Sequence, residues 1–597
     1  MKIAVLDSQA YLEHPVFRGK NIRVYNEVGD TWKNRSQEKE TDLPHGTAVC
    51  GILANYTDER VEILNFNIFS PSLPELTRKT LSALQYVYDN VDCDILNLSM
   101  GLRVPSDPLK EICQKLDKKG VTIVSAFDNA GAISYPAAYD FVIGVDSSRR
   151  CTHADDFVYV ENSPVNLRAK GGIQRVPWRD PLYVINQGSS FAAPYVTAYI
   201  ANCYLDGVSK QEILPYLKSH AKYVYPSKVK VSHKPDLAKQ IRRAAIFPFN
   251  KEMDSLINYR KRLPFELCAV YDTKYSGHIG LEAKGIFEKE PAFTVQNIDR
   301  CDFTGFDTLI IGHISEQEGR ANQPIKSRIL EKCLEHGIHV YSFDAECMKE
   351  FEPRFEAQGL LLQYPKLENM ELKNKFGKLY LTKSPVLGVF GTTRKQGKFT
   401  VQLQLRYLFE DAGYTVGQLG TEPSSKLFGI DKVFAFGYNP IVSQDQFENL
   451  DYVNTLMHQI DEKNPDILLV GAQSGTIPQG YYNLGQILLE QYAFLLATKP
   501  DAVVLVVNVD DRSDYIRRTI MAVQSLVSCR VIALAMYPKT FQNGWGIAND
   551  HKTGVGEQQL LARKQELENL FHLPVVVTGN PSDGEKLLNA CIDFFRG

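Results

Sequence analysis

Four residues in the first third of the chain could together carry out acyl transfer. Asp7 ends an apolar run in IAVLDS and His45 precedes a glycine in LPHGTAVCGIL. Asn129 follows another apolar run in VSAFDNAG, and Ser190 opens the small-residue stretch QGSSFAAPYVT. Each has a bland reading of its own: serine caps helices, and Asp and Asn form turns. Together they supply a nucleophile, a base to take its proton, an acid to hold that base and a donor for an oxyanion.

Other elements must bring these four together. KIAVLD, VEILNFNI, DILNLSMG, VTIVSAF and DFVIGV are short β-branched-rich runs, separated by amphipathic stretches such as LPELTRKTLSALQYVYDNV and DPLKEICQKLDKKG. Strands alternating with helices of this length predict an α/β domain with a parallel sheet covered on its faces. Functional groups in such sheets gather beyond the carboxyl ends of the strands. The chain order Asp, His, Ser is one of the three orders in which unrelated folds assemble this triad.

The six ordered segments AVLDS, HGTAVCGIL, DILNLSMG, VTIVSAFDNAG, YPAAYDFVIGV and GSSFAAPYVT resemble those of the subtilisin-like serine protease family, over residues 1–221. The resemblance implies Ser190 as nucleophile, His45 as general base and then acid, Asp7 as its orienter and Asn129 as oxyanion donor alongside the Ser190 N–H. It also implies Ser99, Met100 and Gly101 as one wall of the first specificity pocket, with Ala126 and Phe127 in another. Phe127 and Asp128 replace small residues usual there, so a ring is expected to narrow the pocket. With the Asp strand at the first residues, no propeptide like that of secreted relatives is expected, nor are family calcium loops; no metal is assigned.

The remaining two thirds read as two further α/β units. A basic stretch, 222–245, is expected to be a linker. FELCAVYD, TLIIGHIS and ILEKCLEHGIHVYSF suggest a Rossmann-like unit over 246–385, where Asp272 is a turn former or a holder of a ribose or amine. A third unit, 386–597, opens with GVFGTTRKQGKFT: a strand, a glycine loop with Gly391 and Gly397, then Lys398 and Thr400 starting a helix. A phosphate loop needs backbone N–H groups, a lysine and a hydroxyl for Mg²⁺. The spacing here is degenerate, with five residues between the glycines and the hydroxyl two residues after the lysine. Residues 246–597 resemble a bacterial two-domain family, Rossmann-like unit plus P-loop domain, that includes D-glutamate N-acetyltransferases. That resemblance implies ATP, GTP or a coenzyme A derivative, with Mg²⁺, as ligand. Gly471 stands where the family usually has an acid, so binding without hydrolysis is expected, with Asp466, Glu422, Asp431 and Asp510 as candidate substitutes.

Composition sets the outer bounds. A chain of 597 residues with 44% hydrophobic and 23% charged residues and a net charge of −3 is ordinary globular protein of several domains. Nothing in that balance calls for nucleic acid or membrane, and the first residues do not read as a signal peptide. Eleven cysteines without a CxxC pair suggest buried thiols in a reducing, cytoplasmic setting. The expected function is a cytoplasmic serine endopeptidase of narrow specificity, acting without a cofactor on a peptide or precursor peptide in a bacterial peptide-maturation system. Peptide ligation or cyclisation by the same triad, and a ligand-sensing scaffold with a vestigial triad, stand as alternatives. Maturation enzymes and a second copy of the chain are the further partners considered.

Overall fold

The computed structural model describes residues 1–35, 43–227, 236–250, 252–284, 292–365, 373–394, 396–435, 446–478, 489–541 and 552–596. The chain divides into two compact units, Met1–Val229 with Glu371–Lys383, and Lys230–Met370 with Ser384–Gly597.

In the first unit the described residues form a ten-stranded sheet whose centre is parallel. Strand Lys2–Asp7 lies between Glu62–Asn67 and Ile95–Leu98, and Thr122–Ala126 and Ile143–Ser148 follow on the same side. The central strand buries side chains on both faces, which is why it reads as a continuous apolar run. Ile3 and Val5 pack under the helices His45–Tyr56 and Ser189–Leu205. Ala4 and Leu6 face the opposite layer, with helices Leu73–Asn90 and Asp107–Lys118. The two helices that start with His45 and Ser189 therefore share one face of the sheet. Asp7 sits at the carboxyl end of the central strand.

The second unit holds two all-parallel sheets, of six and seven strands among the described residues. The sequence reading separated them as 246–385 and 386–597, but they share a hydrophobic cluster. Leu256, Val270 and Ile310 of the first part pack with Phe399, Leu403 and Leu427 of the second. The basic stretch 222–245 is not a bare connector either. Tyr223–Tyr225 adds a parallel edge strand to the first unit, and Arg243–Phe247 is a strand of the second. Residues 228–235 of that stretch lie outside the described residues. The clearest boundary correction is at 371–383, which folds with the first unit rather than with the Rossmann-like part, because its apolar residues Phe376 and Tyr380 pack there. No helix among the described residues is long and apolar enough to cross a membrane.

Candidate active site

Asp7, His45 and Ser190 come together in the first unit. The His45 Nδ1 lies 2.8 Å from Asp7 Oδ1 and 3.1 Å from Oδ2, and its Nε2 lies 3.0 Å from Ser190 Oγ. A single imidazole thus bridges a carboxylate and a hydroxyl. Asp7 and Ser190 are nearly buried, and His45 keeps one fifth of its side chain exposed. Burial disfavours the charged imidazole, but the charge and hydrogen bond of Asp7 outweigh it, so the His45 pKa lies above the ordinary 6.5.

The local sequence explains how the histidine gets so close. Asp7 Oδ1 accepts the Ser8 N–H at 2.7 Å, and Ser8 Oγ accepts the Gly46 N–H at 2.8 Å, so the start of the histidine helix is tied to the end of the aspartate strand. A Cβ on Gly46 would overlap the Ser8 carbonyl oxygen. Only glycine allows this approach, which accounts for the glycine after His45. The His45 ring also leans on Phe191, with centroids 5.1 Å apart.

Ser190 is the second residue of its helix, which starts behind Gly188. First-turn N–H groups have no acceptor within the helix, so the Ser190 N–H belongs to a set that can receive an anion. Asn129 stands beside it: its Oδ1 accepts the Ser189 N–H at 2.8 Å and the Ser189 hydroxyl at 2.9 Å. Those bonds fix the amide so that a Cβ placed on Gly188 would lie 3.0 Å from Asn129 Nδ2 and 3.3 Å from Ser190 Oγ. Amide donor and hydroxyl thus flank the same small space. A nucleophile, an oriented base and two N–H donors in that relation can attack a carbonyl and hold the resulting oxyanion.

The expected pocket walls also lie side by side, since Ser99–Gly101 and Ala126–Asn129 continue paired parallel strands. Gly101 abuts Ser134, and Leu102 pairs with Tyr135 through backbone bonds of 2.8 and 2.7 Å. The Met100 side chain packs against the core beneath. Phe127, expected to narrow the pocket, is buried in a cluster with Ile133, Ala137 and Val165. Asp128 accepts the Ala130 N–H at 2.7 Å and pairs with Arg103 at 3.0 Å. The ring therefore serves as packing under the wall rather than as an obstruction in it.

In the second unit the glycine loop is a knot of its own polar groups. Gly397 starts the following helix at φ +75, and a Cβ there would run into the Tyr537 ring. Lys398 Nζ donates to the Thr393 carbonyl at 2.7 Å, and Gln396 Nε2 donates to Thr392 Oγ1 at 2.5 Å. Thr400 is buried in the first turn. Sequence reasoning missed Asp511: it accepts the Thr392 hydroxyl and the Asn508 N–H, and burial raises its carboxyl above the ordinary range against those bonds. Its signal was only an acid at the end of the apolar run DAVVLVVNVDD. At Gly471 the end of the Gln402 side chain fills the space an acid would take, and its Nε2 is buried without a hydrogen-bond partner.

Two of the four proposed substitutes, Asp466 and Asp431, are engaged away from the loop. Asp466 accepts from the Thr415 N–H and hydroxyl, which hold its carboxyl below the ordinary range. Asp431 binds the Gln418 N–H and Lys463. Asp510 lines a cavity of about 680 Å³ next to Asp511 and Arg563, and Glu422 precedes the turn Pro423–Phe428. In the Rossmann-like part Asp272 is fully buried, accepting the Thr273 N–H at 2.7 Å and facing His278 Nδ1 at 2.7 Å. No group of three or more His, Cys, Asp or Glu among the described residues could hold a metal ion.

Comparison with known proteins accounts for both ends of the chain. Residues 1–212 match the subtilase family, and residues 376–586 match the P-loop domain of a family of unknown function, DUF1611_C. The chain carries a subtilase domain followed by a DUF1611 P-loop domain. It is 33% identical over 192 residues to the halolysin-like extracellular serine protease Nep of Natrialba magadii, covering 30% of this chain and 35% of that protein. The major intracellular serine protease of Bacillus subtilis (strain 168) is 28% identical over 222 residues, 34% of this chain and 67% of the relative. A DUF1611 family protein from Anabaena variabilis, solved as a crystal structure, aligns at a TM-score of 0.43 and 17% identity over 59% of this chain and 99% of its own. The chain thus spans about a third of Nep's length.

Proposed function

We propose that the first unit is a serine endopeptidase in which Ser190 attacks the scissile carbonyl. The observation that carries this reading is the His45 imidazole bridging Asp7 at 2.8 Å and Ser190 at 3.0 Å. His45 takes the Ser190 proton through Nε2 and returns it to the leaving amine, while Asp7 holds the tautomer with hydrogen on Nδ1. The oxyanion is received by the Asn129 amide and the Ser190 N–H. Water then releases the acyl group by the same steps in reverse roles.

The peptidase acts on a peptide or precursor peptide of narrow choice, in the cytoplasm. All eleven cysteines are free, which agrees with a reducing compartment, and one relative is an intracellular protease by name. The P-loop part binds a phosphate-bearing ligand: the loop N–H groups and Lys398 would hold the phosphate, and the Thr400 hydroxyl would supply a ligand to Mg²⁺.

A fluorophosphonate probe tests the reading directly. Wild type is expected to be labelled on Ser190, and Ser190→Ala to be unlabelled with its melting temperature nearly unchanged. Equal labelling of the two would remove Ser190 from the mechanism. The mass of the product separates hydrolysis, which adds a water, from cyclisation, which does not.

A further inference from the structure

The wall that carries Asn129 is braced by a segment from far along the chain. Glu371–Lys383 folds with the first unit, although Lys230–Met370 before it belongs to the second and the chain leaves again at Ser384. The segment runs along the loop that follows Ala126. Leu379 donates its N–H to the Gly131 carbonyl at 3.0 Å and accepts the Ile133 N–H at 2.8 Å, a parallel bridge around Ala132. Phe376 and Tyr380 pack on the cluster that buries the Phe127 ring.

Lys378 makes the most specific contact. Its side chain is 8% exposed, and its Nζ donates to the carbonyl oxygen of Asp128 at 2.9 Å. The same ammonium pairs with Asp146 at 3.2 Å and lies 5.9 Å from the Phe127 ring centroid. The Asp128 carbonyl and the Asn129 N–H are two ends of one rigid peptide plane. Holding that oxygen with a buried, charge-assisted bond fixes the plane from which the Asn129 side chain projects. Ser189 holds the other side of the same stretch, through the Phe127 carbonyl and Asn129 Oδ1. The oxyanion donor is therefore gripped from two directions, by the nucleophile's helix and by Lys378.

We propose that Lys378 is a positioning residue for the oxyanion donor Asn129, and that the segment 373–383 completes the peptidase site from within the P-loop half of the sequence. Ring and lysine form one device: Phe127 provides the apolar face on which the segment lies, and Lys378 reaches past it to the backbone. The inference rests on the serine-peptidase reading of Ser190, and a variant of the full chain separates the two.

The experiment measures saturation kinetics of fluorophosphonate labelling, together with amide exchange across 128–133, for wild type, Lys378→Met and Lys378→Arg. The phosphonyl oxygen occupies the oxyanion position during attack, so a displaced Asn129 slows the limiting rate and leaves half-saturation unchanged. Lys378→Met is expected to lower the limiting rate at least ~10-fold, short of the roughly 10²–10³ that loss of a donor costs. Exchange at 128–133 should quicken, the pH limb belonging to His45 should stay in place, and Lys378→Arg should recover most of the rate. Phe376→Leu loosens the same segment with Lys378 intact, and is expected to give a smaller fall of the same kind if Lys378→Met does not fold. Labelled wild type with an equal limiting rate in Lys378→Met would overturn the inference. Unlabelled wild type would instead overturn the peptidase reading, and amide exchange alone would then decide whether Lys378 holds the loop, with unchanged exchange overturning that as well.

Discussion

Two helix starts in this molecule share one local device. Helix Ser189–Leu205 begins behind Gly188 at φ +155, and helix Lys398–Asp411 behind Gly397 at φ +75. Each puts its reactive side chain in the first turn, where backbone N–H groups are left over to meet an anion. Their surroundings differ in kind. Ser190 faces His45 and, behind it, Asp7, which come from elements 145 residues and more away in sequence. Lys398 faces the carbonyl of Thr393, five residues back in its own loop. A hydroxyl must be activated by a base that only tertiary folding can deliver, whereas a phosphate cradle needs a cation and N–H groups that ten consecutive residues supply.

The largest effect that would break the comparison comes from the base. Without His45, Ser190 is an ordinary helix-start serine, so His45→Ala is expected to lower turnover by roughly 10⁵–10⁶, as losing one member of a concerted triad does. The melting temperature should move little, because the ring is partly exposed and made for contact with Ser190. Retained turnover in a peptide-cleavage assay would mean that the two helix starts are alike after all.

Asp7→Asn comes next, at roughly 10⁴ in turnover, and it carries a pH signature. The neutral imidazole is the base, so wild-type activity rises with pH through a His45 pKa above 6.5. Removing the carboxylate leaves the burial that lowers the pKa and takes away the charge and hydrogen bond that raise it, so the rising limb should move to lower pH. The sign for stability follows the same shift. The pairing stabilises the fold in full below pH 6.5 and is lost as pH climbs through the raised value. A limb unmoved in Asp7→Asn would show that another group sets the base. Asn129→Ala is smaller again, about 3–4 kcal/mol or roughly 10²–10³ in turnover with half-saturation nearly constant.

The contrast between the two helix starts also explains what was legible beforehand. The strands and the parallel sheet of the first unit followed from apolar runs at strand length, and the candidate site from Asp7 and Asn129 after such runs with His45 and Ser190 at small-residue helix starts. Geometry hidden from a linear reading was of two sorts. Gly46 matters because the Ser8 carbonyl lies against it, a contact between elements that no local pattern encodes. Phe127 reads as an obstruction in sequence, yet its partners Phe376 and Tyr380 lie some 250 residues on, and with them it becomes packing. The same blindness assigned 371–383 to the wrong unit. In the P-loop part the sequence located the loop but looked for its acid at Gly471, where Gln402 fills the space, and passed over Asp511, three residues past the strand Ala502–Asn508.

The smallest expected effect belongs to that loop and sharpens the comparison from the other side. If the N–H groups of 392–398 and Lys398 take a phosphate, ligand binds the folded state alone and stabilises it by mass action, about 2.7 kcal/mol at a hundredfold excess over Kd. For a unit of this size that is a rise of a few degrees in melting temperature. Lys398→Ala should remove most of the rise seen with ATP, GTP or acetyl-coenzyme A, while peptide cleavage at Ser190 stays as it was. Phosphate release should be slight with or without Mg²⁺, because the space beside the loop at Gly471 holds an amide and the nearby Asp511 is engaged with Thr392 and Asn508. A chain whose melting temperature ignores all three ligands would make the loop a structural turn. Brisk release that depends on Lys398 would instead make Asp511, freed from Thr392 by the ligand, the acid that Gly471 does not provide.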